Sequence, residues 1–343
     1  MAYTTIKKPS DYFNTKLYTG NGSTNAITGV GFQPDWTWIK NRTDASNHNL
    51  YDAVRGTSAG KLKSNTTNAE SYNASDLSSF NTDGFTVGGN NEVNGSGDAM
   101  ASWNWLGANG TAANTDGSIS STVSANTTSG FSIVSYTGTG SAGTVGHGLG
   151  TTPSMVIVKN RSEVYAWNCY HQSLGATKYI LLNELDASAT GTTWNDTAPT
   201  SSVFSIGSTS GVNKNTNNLI AYCFAEKQGF SKFGSYTGNG STDGTFTYLG
   251  FKPAFLLYKN ASNNFTNWQV HDSKRSTYNL SVNRLNPNDS SVELGTTADS
   301  FDFLSNGFKA RATASNSNTS GSTYIYMAFA EQPLVGDNPA TAR

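Results

Sequence analysis

Tyr18-Thr19-Gly20-Asn21-Gly22-Ser23 is written again as Tyr136-Thr137-Gly138-Thr139-Gly140-Ser141, and a third time as Tyr236-Thr237-Gly238-Asn239-Gly240-Ser241. The copies begin 118 and 100 residues apart, too far for solenoid repeats and suited to domains that each enclose a core. A second phrase keeps register with the first. Pro34 leads to Lys40-Asn41, Pro153 to Lys159-Asn160 and Pro253 to Lys259-Asn260, at one constant spacing. The 343-residue chain is therefore expected to form three tandem domains, 1–110, 111–228 and 229–332, followed by a tail over 333–343.

Working outward from these phrases, the runs Trp36-Thr37-Trp38-Ile39, Met155-Val156-Ile157-Val158 and Phe255-Leu256-Leu257-Tyr258 are short and rich in aromatic and β-branched residues, as strands are. In the second and third copies both alternating positions are apolar, which predicts a central strand covered on both faces. The copies close on Ser102-Trp103-Asn104-Trp105, Ala221-Tyr222-Cys223-Phe224 and Tyr326-Met327-Ala328-Phe329, which align without a gap. Trp105, Phe224 and Phe329 then share one face, expected to point inward. Asp83-Gly84 and Asn306-Gly307 mark hairpins. The second copy reads Val203-Phe204-Ser205-Ile206 there, without the glycine. The fold class predicted is all-β: three β-sandwiches of jelly-roll outline with very little helix. Gly107 to Ser129 reads as a linker, in which Ile119 to Val123 can add a strand to the second domain. The tight junction Glu226-Lys227-Gln228-Gly229 predicts that the second and third domains sit rigidly together.

Only 13% of residues are charged and the net charge is −1, against about a quarter charged in ordinary domains. Without a Lys/Arg run, the concentrated positive field that nucleic acid or an anionic membrane requires is missing, and both are set aside as partners. The first sixteen residues carry no signal-peptide core, and no stretch could span a bilayer, so synthesis in a cytosol is expected. Asn-x-Ser/Thr triplets, such as those at Asn21, Asn65, Asn126 and Asn318, follow from the abundance of these residues. Cys169 and Cys223 are expected as free, packed thiols, a disulfide within their domain being the alternative. No metal and no cofactor is expected.

The Gly-x-Gly phrase has neither the strand–helix setting nor the lysine of a phosphate loop and reads as a tight turn. The polar segment after each central strand is a stronger candidate site: Arg42, His48 and Asp52, then His171, then His271 and Asp272. In register, Asp52 becomes His171 and then Asp272. Catalysis does not survive such an exchange, whereas an Asn that bonds its own backbone at a strand exit is a common structural device. Glycoside hydrolysis needs facing carboxylates, but Asp35, Asp44 and Glu70 have no acidic counterparts in the second copy. None of the histidines accompanies a Gly-x-Ser-x-Gly elbow, and Asn90-Asn91-Glu92 and Asn286-Pro287-Asn288-Asp289 lack the spacing of a calcium loop. The chain is therefore read as a non-enzyme. Seven Trp and sixteen Tyr among abundant Asn, Ser and Gly suit sugar recognition, with Trp167, Trp194 and Trp268 as candidate platforms. The binding set, for glycan or subunit contact, is Arg42, His48, Asp52, Trp167, His171, Trp194, Trp268, His271 and Asp272.

The Tyr-Thr-Gly-Asn-Gly-Ser openings, the run from Gly31 through Trp36 and Trp38 to Arg42, the phrase Phe230-Ser231-Lys232-Phe233-Gly234-Ser235-Tyr236-Thr237-Gly238, and the ending Tyr324 to Glu331 resemble repeat domains in virion structural proteins of marine tailed phages. The resemblance spans nearly the whole chain. It implies concanavalin A-like or jelly-roll modules and a tail-fibre-like or decoration protein at the virion surface, with no catalytic residues to carry over. It also implies other virion proteins as partners, a host-surface glycan as a candidate ligand, and a homo-oligomer, first of all a trimer. The first repeat begins almost at once, without a helical or collagen-like stem, which favours a fibre tip or a decoration protein. Three unlike modules in one chain could also form a pseudo-threefold unit.

Overall fold

The computed structural model describes residues 3–341. It is all-β, with two four-residue α-helical turns and four short 3-10 turns among the described residues. Each repeat builds one large antiparallel sheet in the same order. In the first, Phe13–Thr19 pairs with Ala99–Trp105, then come Trp36–Asn41, Asn49–Asp52 and Leu62–Lys63. The third repeats this as Ser231–Thr237, Thr323–Pro333, Phe251–Asn260, Trp268–Asp272, Asn283–Leu285 and Leu294–Gly295. The second does so as Phe131–Thr137, Asn218–Phe224, Met155–Asn160, Asn168–His171, Lys178–Leu181 and Ala189–Thr190.

The second sheet continues past its opening strand through Ser121–Asn126 and Ala112–Asn114. Most of the stretch expected as a linker is thus sheet edge. Alternation explains it, because Ser121 and Val123 turn inward while Thr122 faces solvent. The tail is also more ordered than its composition suggests. Pro333 ends a strand, Ala340 N–H donates back to its carbonyl at 2.8 Å, and Asp337 lies 3.7 Å from Lys7. Residues 1, 2, 342 and 343 of the terminal segments lie outside the described residues.

The central strands carry the architecture. Trp36–Asn41 and Met155–Asn160 are buried at every position, and their alternate side chains enter two different cores. Trp36, Trp38, Met155, Ile157, Phe255 and Leu257 enter one cluster shared by all three repeats. Ile39, Val156, Val158, Leu256 and Tyr258 point the other way, into three separate outer cores. Each outer core is capped by a small sheet: Asn25–Thr28, Gly84–Val87 and Leu77–Asn81; Gly143–Gly146 and Val203–Ile206; and Phe246–Tyr248, Gly307–Ala310 and Phe301–Leu304.

Three sheets thus face one another around a common axis. Trp105, Phe224 and Phe329 meet there as a triad, with ring centroids 5.7, 6.1 and 6.4 Å apart. Trp36 lies 4.4 Å from Trp105 in its own repeat and 4.4 Å from Tyr222 in the next. Burying each such ring is worth about 2–3 kcal/mol. The tandem domains expected from the sequence are therefore modules that complete one another's interior. Cys169 belongs to the shared core and Cys223 to an outer one, and both are free.

Candidate functional site

The triplicated polar residues converge on the seams between modules. Asp52 ends the strand Asn49–Asp52, where its Oδ1 accepts the Arg55 N–H at 2.9 Å and its Oδ2 pairs with Arg55 Nε at 2.5 Å. The same Oδ2 accepts the Tyr222 hydroxyl of the second module at 2.8 Å. Arg55 continues to Glu70 at 2.5 Å, and Glu70 to Arg161 of the second module at 2.9 Å. The seam from the third module to the first repeats each part. Asp272 pairs with Arg275 at 2.5 Å and accepts Trp103 Nε1–H at 3.0 Å; Arg275 meets Glu293 at 2.9 Å, and Glu293 meets Arg42 at 2.6 Å. Burial opposes the charge of Arg55 and Arg275, but the carboxylates around each outweigh it and raise both pKa values.

The seam from the second module to the third is neutral. His171 stands in place of the aspartates, Leu174 in place of the arginines, and Ser188 and Ala261 in place of the Glu–Arg bridge, whose backbone bond persists as Ser188 N–H to the Ala261 carbonyl at 3.0 Å. Met327 replaces the donor ring. His171 Nδ1 accepts the turn N–H of Ser173 at 3.2 Å, so its Nε2–H donates to the Tyr326 carbonyl at 3.1 Å. Burial pushes its pKa down to about 4.

The other candidates are also interior. Trp167 Nε1–H donates to the Lys63 carbonyl and Trp268 Nε1–H to the Leu181 carbonyl, each at 2.9 Å across a seam. His48, in the equivalent position, accepts Trp38 Nε1–H at 2.9 Å, and burial holds it neutral. His271 lies 3.3 Å from the Ser281 hydroxyl under the third small sheet, and burial depresses its pKa too. Trp194 packs edge-on to Tyr170 in the second outer core. Trp167, Trp194 and Trp268 are 0–2% exposed, so none offers the ring face expected of a sugar platform. Their β-strand neighbours and the facing sheets cover both sides. Arg42, 20% exposed in its side chain, is the one member of the set that reaches solvent.

The shared Lys–Asn pair serves the same purpose. Lys40 Nζ reaches the Ser290 carbonyl of the third module at 3.3 Å, Lys159 the Thr67 carbonyl of the first at 3.0 Å, and Lys259 the Leu185 carbonyl of the second at 3.2 Å. Burial lowers these ammonium groups to about 8, about 8 and about 7. Asn41, Asn160 and Asn260 each accept two N–H groups of their own loop through Oδ1.

The glycine phrase wraps a residue that sequence reading passed over. Asn94, Asn213 and Asn318 are buried and accept the N–H of Asn21, Thr139 and Asn239 at 3.0, 2.8 and 2.9 Å. The phrase's tyrosines donate to the residue just before each: Tyr18 to Val93, Tyr136 to Val212 and Tyr236 to Ser317. A Cβ at Gly20, Gly138 or Gly238 would come within 2.0–2.3 Å of a carbonyl oxygen of that turn, which explains the glycine. The signal was available, since these asparagines stand eleven residues before Trp105, Phe224 and Phe329 alike.

The glycine turns and Lys–Asn loops gather at one end of the molecule, and residues 3–11 and 331–341 lie at the other. The loop end carries exposed apolar side chains, Phe265 at 85%, Val164 at 64% and Leu185 at 40%, although Val335 at the other end is 60% exposed too. Among the described residues no three His, Cys, Asp or Glu side chains come together as a metal site. No curated protein matches the chain. Residues 8–333 match the family described as a domain of unknown function (DUF7483), and with nearly its whole length inside that match the chain belongs to this family.

Proposed function

We propose that this chain is a non-enzymatic structural protein of a tailed-phage virion surface, tail-fibre-like, with three concanavalin A-like or jelly-roll modules that bind neighbouring virion subunits and host glycan. One observation carries the reading. The residues that could do chemistry are engaged inside the protein: His171, both Asp–Arg pairs and all three repeated lysines join modules, while His48 and His271 are buried within their own. What reaches solvent at the loop end is mostly amides, hydroxyls and a few apolar tips, with the Lys214–Glu163 pair among them, which suits binding more than catalysis. The placement on a virion rests on the resemblance of the repeats.

The pseudo-threefold arrangement favours one variant of this reading, a decoration protein seated as a single chain on a local threefold axis of a capsid. Cryo-electron microscopy of intact particles tests both. Density at the tip of a tail appendage supports the fibre reading, and density on capsid threefolds supports decoration. Absence of the chain from purified particles refutes both.

A further inference from the structure

The three modules differ at one place where equivalence predicts likeness. Beside the loop end, each module brings together a residue on, or just before, the strand that follows Asn49–Asp52 or its counterpart and the residue two before the buried asparagine. In the first module these are Lys61 and Glu92, joined at 2.6 Å, with Asp76 3.3 Å from the same Nζ. In the third they are Arg284 and Asn316, bridged by Asp299 at 3.4 and 3.3 Å. In the second they are Tyr179 and Gly211. Among the described residues no ion pair or hydrogen bond joins them, and a cleft of about 560 Å³ opens between them.

Tyr165, Asn168, Tyr179, Thr192, Ser210 and Gly211 line this cleft, and none of its lining residues is charged. Its size falls in the usual range for small-ligand sites. Both tyrosines are half-buried, and the Lys214 ammonium lies 5.7 Å over the Tyr165 ring. Asn168 is held by its Nδ2–H bond to the Ala166 carbonyl at 3.1 Å, and its Oδ1 accepts no hydrogen bond among the described residues. A Cβ at position 211 would approach that same Nδ2 to 2.6 Å, so the glycine keeps the amide in place and the cleft open. Rings, an amide and hydroxyls without charge match a ligand with apolar C–H faces and many neutral hydroxyls. No charged side chain lines it, and the ammonium beside it, Lys214 over the Tyr165 ring, is already paired with Glu163 at 2.6 Å, so an ionic ligand gains little here.

We infer that the second module carries a binding site for a neutral hexopyranose at the cleft between Tyr179 and Gly211, closed in its two sister modules by ionic and amide side chains. The inference deepens the glycan-binding part of the proposed function and rests on it. Saturation-transfer difference NMR on the full chain tests it, with methyl glycosides of glucose, galactose and N-acetylglucosamine as probes. Gly211→Asn and Tyr179→Lys install residues that the third and first modules already accommodate, and thermal melts verify that each variant folds. Transfer to at least one glycoside is expected with the unaltered chain. Each variant should weaken binding about tenfold or more, while Ser201→Ala, outside the cleft, should leave it unchanged. Transfer that persists undiminished in both variants overturns the site but leaves glycan binding elsewhere on the protein intact. No transfer to any of the three glycosides overturns the site as well, and the particle localisation above then decides the virion reading separately.

Discussion

Three buried lysines give this protein an unusual pH dependence. Lys40, Lys159 and Lys259 titrate at about 8, about 8 and about 7 when folded, because burial penalises the ammonium form, and at 10.5 when unfolded. Between these values the unfolded chain holds more protons than the folded one, so stability rises with pH. Each lysine contributes up to about 1.4 kcal/mol per pH unit while its folded form is neutral. From about pH 7 to about pH 9 that amounts to about 1–2 kcal/mol for each, several kcal/mol together. The window is free of most other groups. The histidines act below it, since His48, His171 and His271 are depressed by burial. The buried thiols and tyrosines are raised, so they oppose stability as their unfolded forms ionise, the two thiols weakly from about pH 8 and the tyrosines above about pH 9. Thermal unfolding across this range should show Tm climbing by roughly 5 °C or more, where most proteins level off or decline. Lys159→Met should remove about a third of the slope, although it leaves the Thr67 and Tyr165 carbonyls without their donor. A Tm that stays flat or falls, or a slope that Lys159→Met does not reduce, would refute the reasoning.

Other substitutions probe the seams and turns. His171→Asp copies the other two seams without their arginine, since Leu174 stands there; an unpaired buried carboxylate should cost about 3–5 kcal/mol in urea unfolding. Tyr222→Phe deletes the hydroxyl that Asp52 accepts and should cost about 1–3 kcal/mol, measured the same way. Asn213→Leu removes bonds to the Thr139 N–H and the Ser141 and Gly207 carbonyls, for a loss of about 3 kcal/mol or more. A fragment of residues 111–228 keeps its outer core but lays its share of the common one bare, so dynamic light scattering should find it aggregated where the full chain is monodisperse.

Much of the fold was legible because strand period and repeat register are local properties. The alignment of Trp105, Phe224 and Phe329 placed those rings on one inward face, and they meet at the axis. What they would face was not legible. Alternation along Met155–Asn160 says only that both sides are covered; whether the cover is the module's own small sheet or two neighbouring modules is a long-range matter. The candidate residues show the same limit. The exchange of Asp52 for His171 looked like tolerance at an unimportant place. It is one of several linked changes, with Leu174, Ser188, Ala261 and Met327, that turn an ionic seam into a neutral one. Gly211 stood out only beside Glu92 and Asn316, and that comparison requires the register of a short turn outside the repeated phrases.

The common core is assembled from a single chain, and this changes what dilution can do to it. A ring of three separate subunits comes apart below its dissociation constant, and its melting temperature depends on concentration. Here the neighbours are tethered, so each seam forms at an effective concentration set by the length of the connecting segments. The seams between the three modules therefore form without a concentration-dependent step, and dilution alone does not pull the shared core apart.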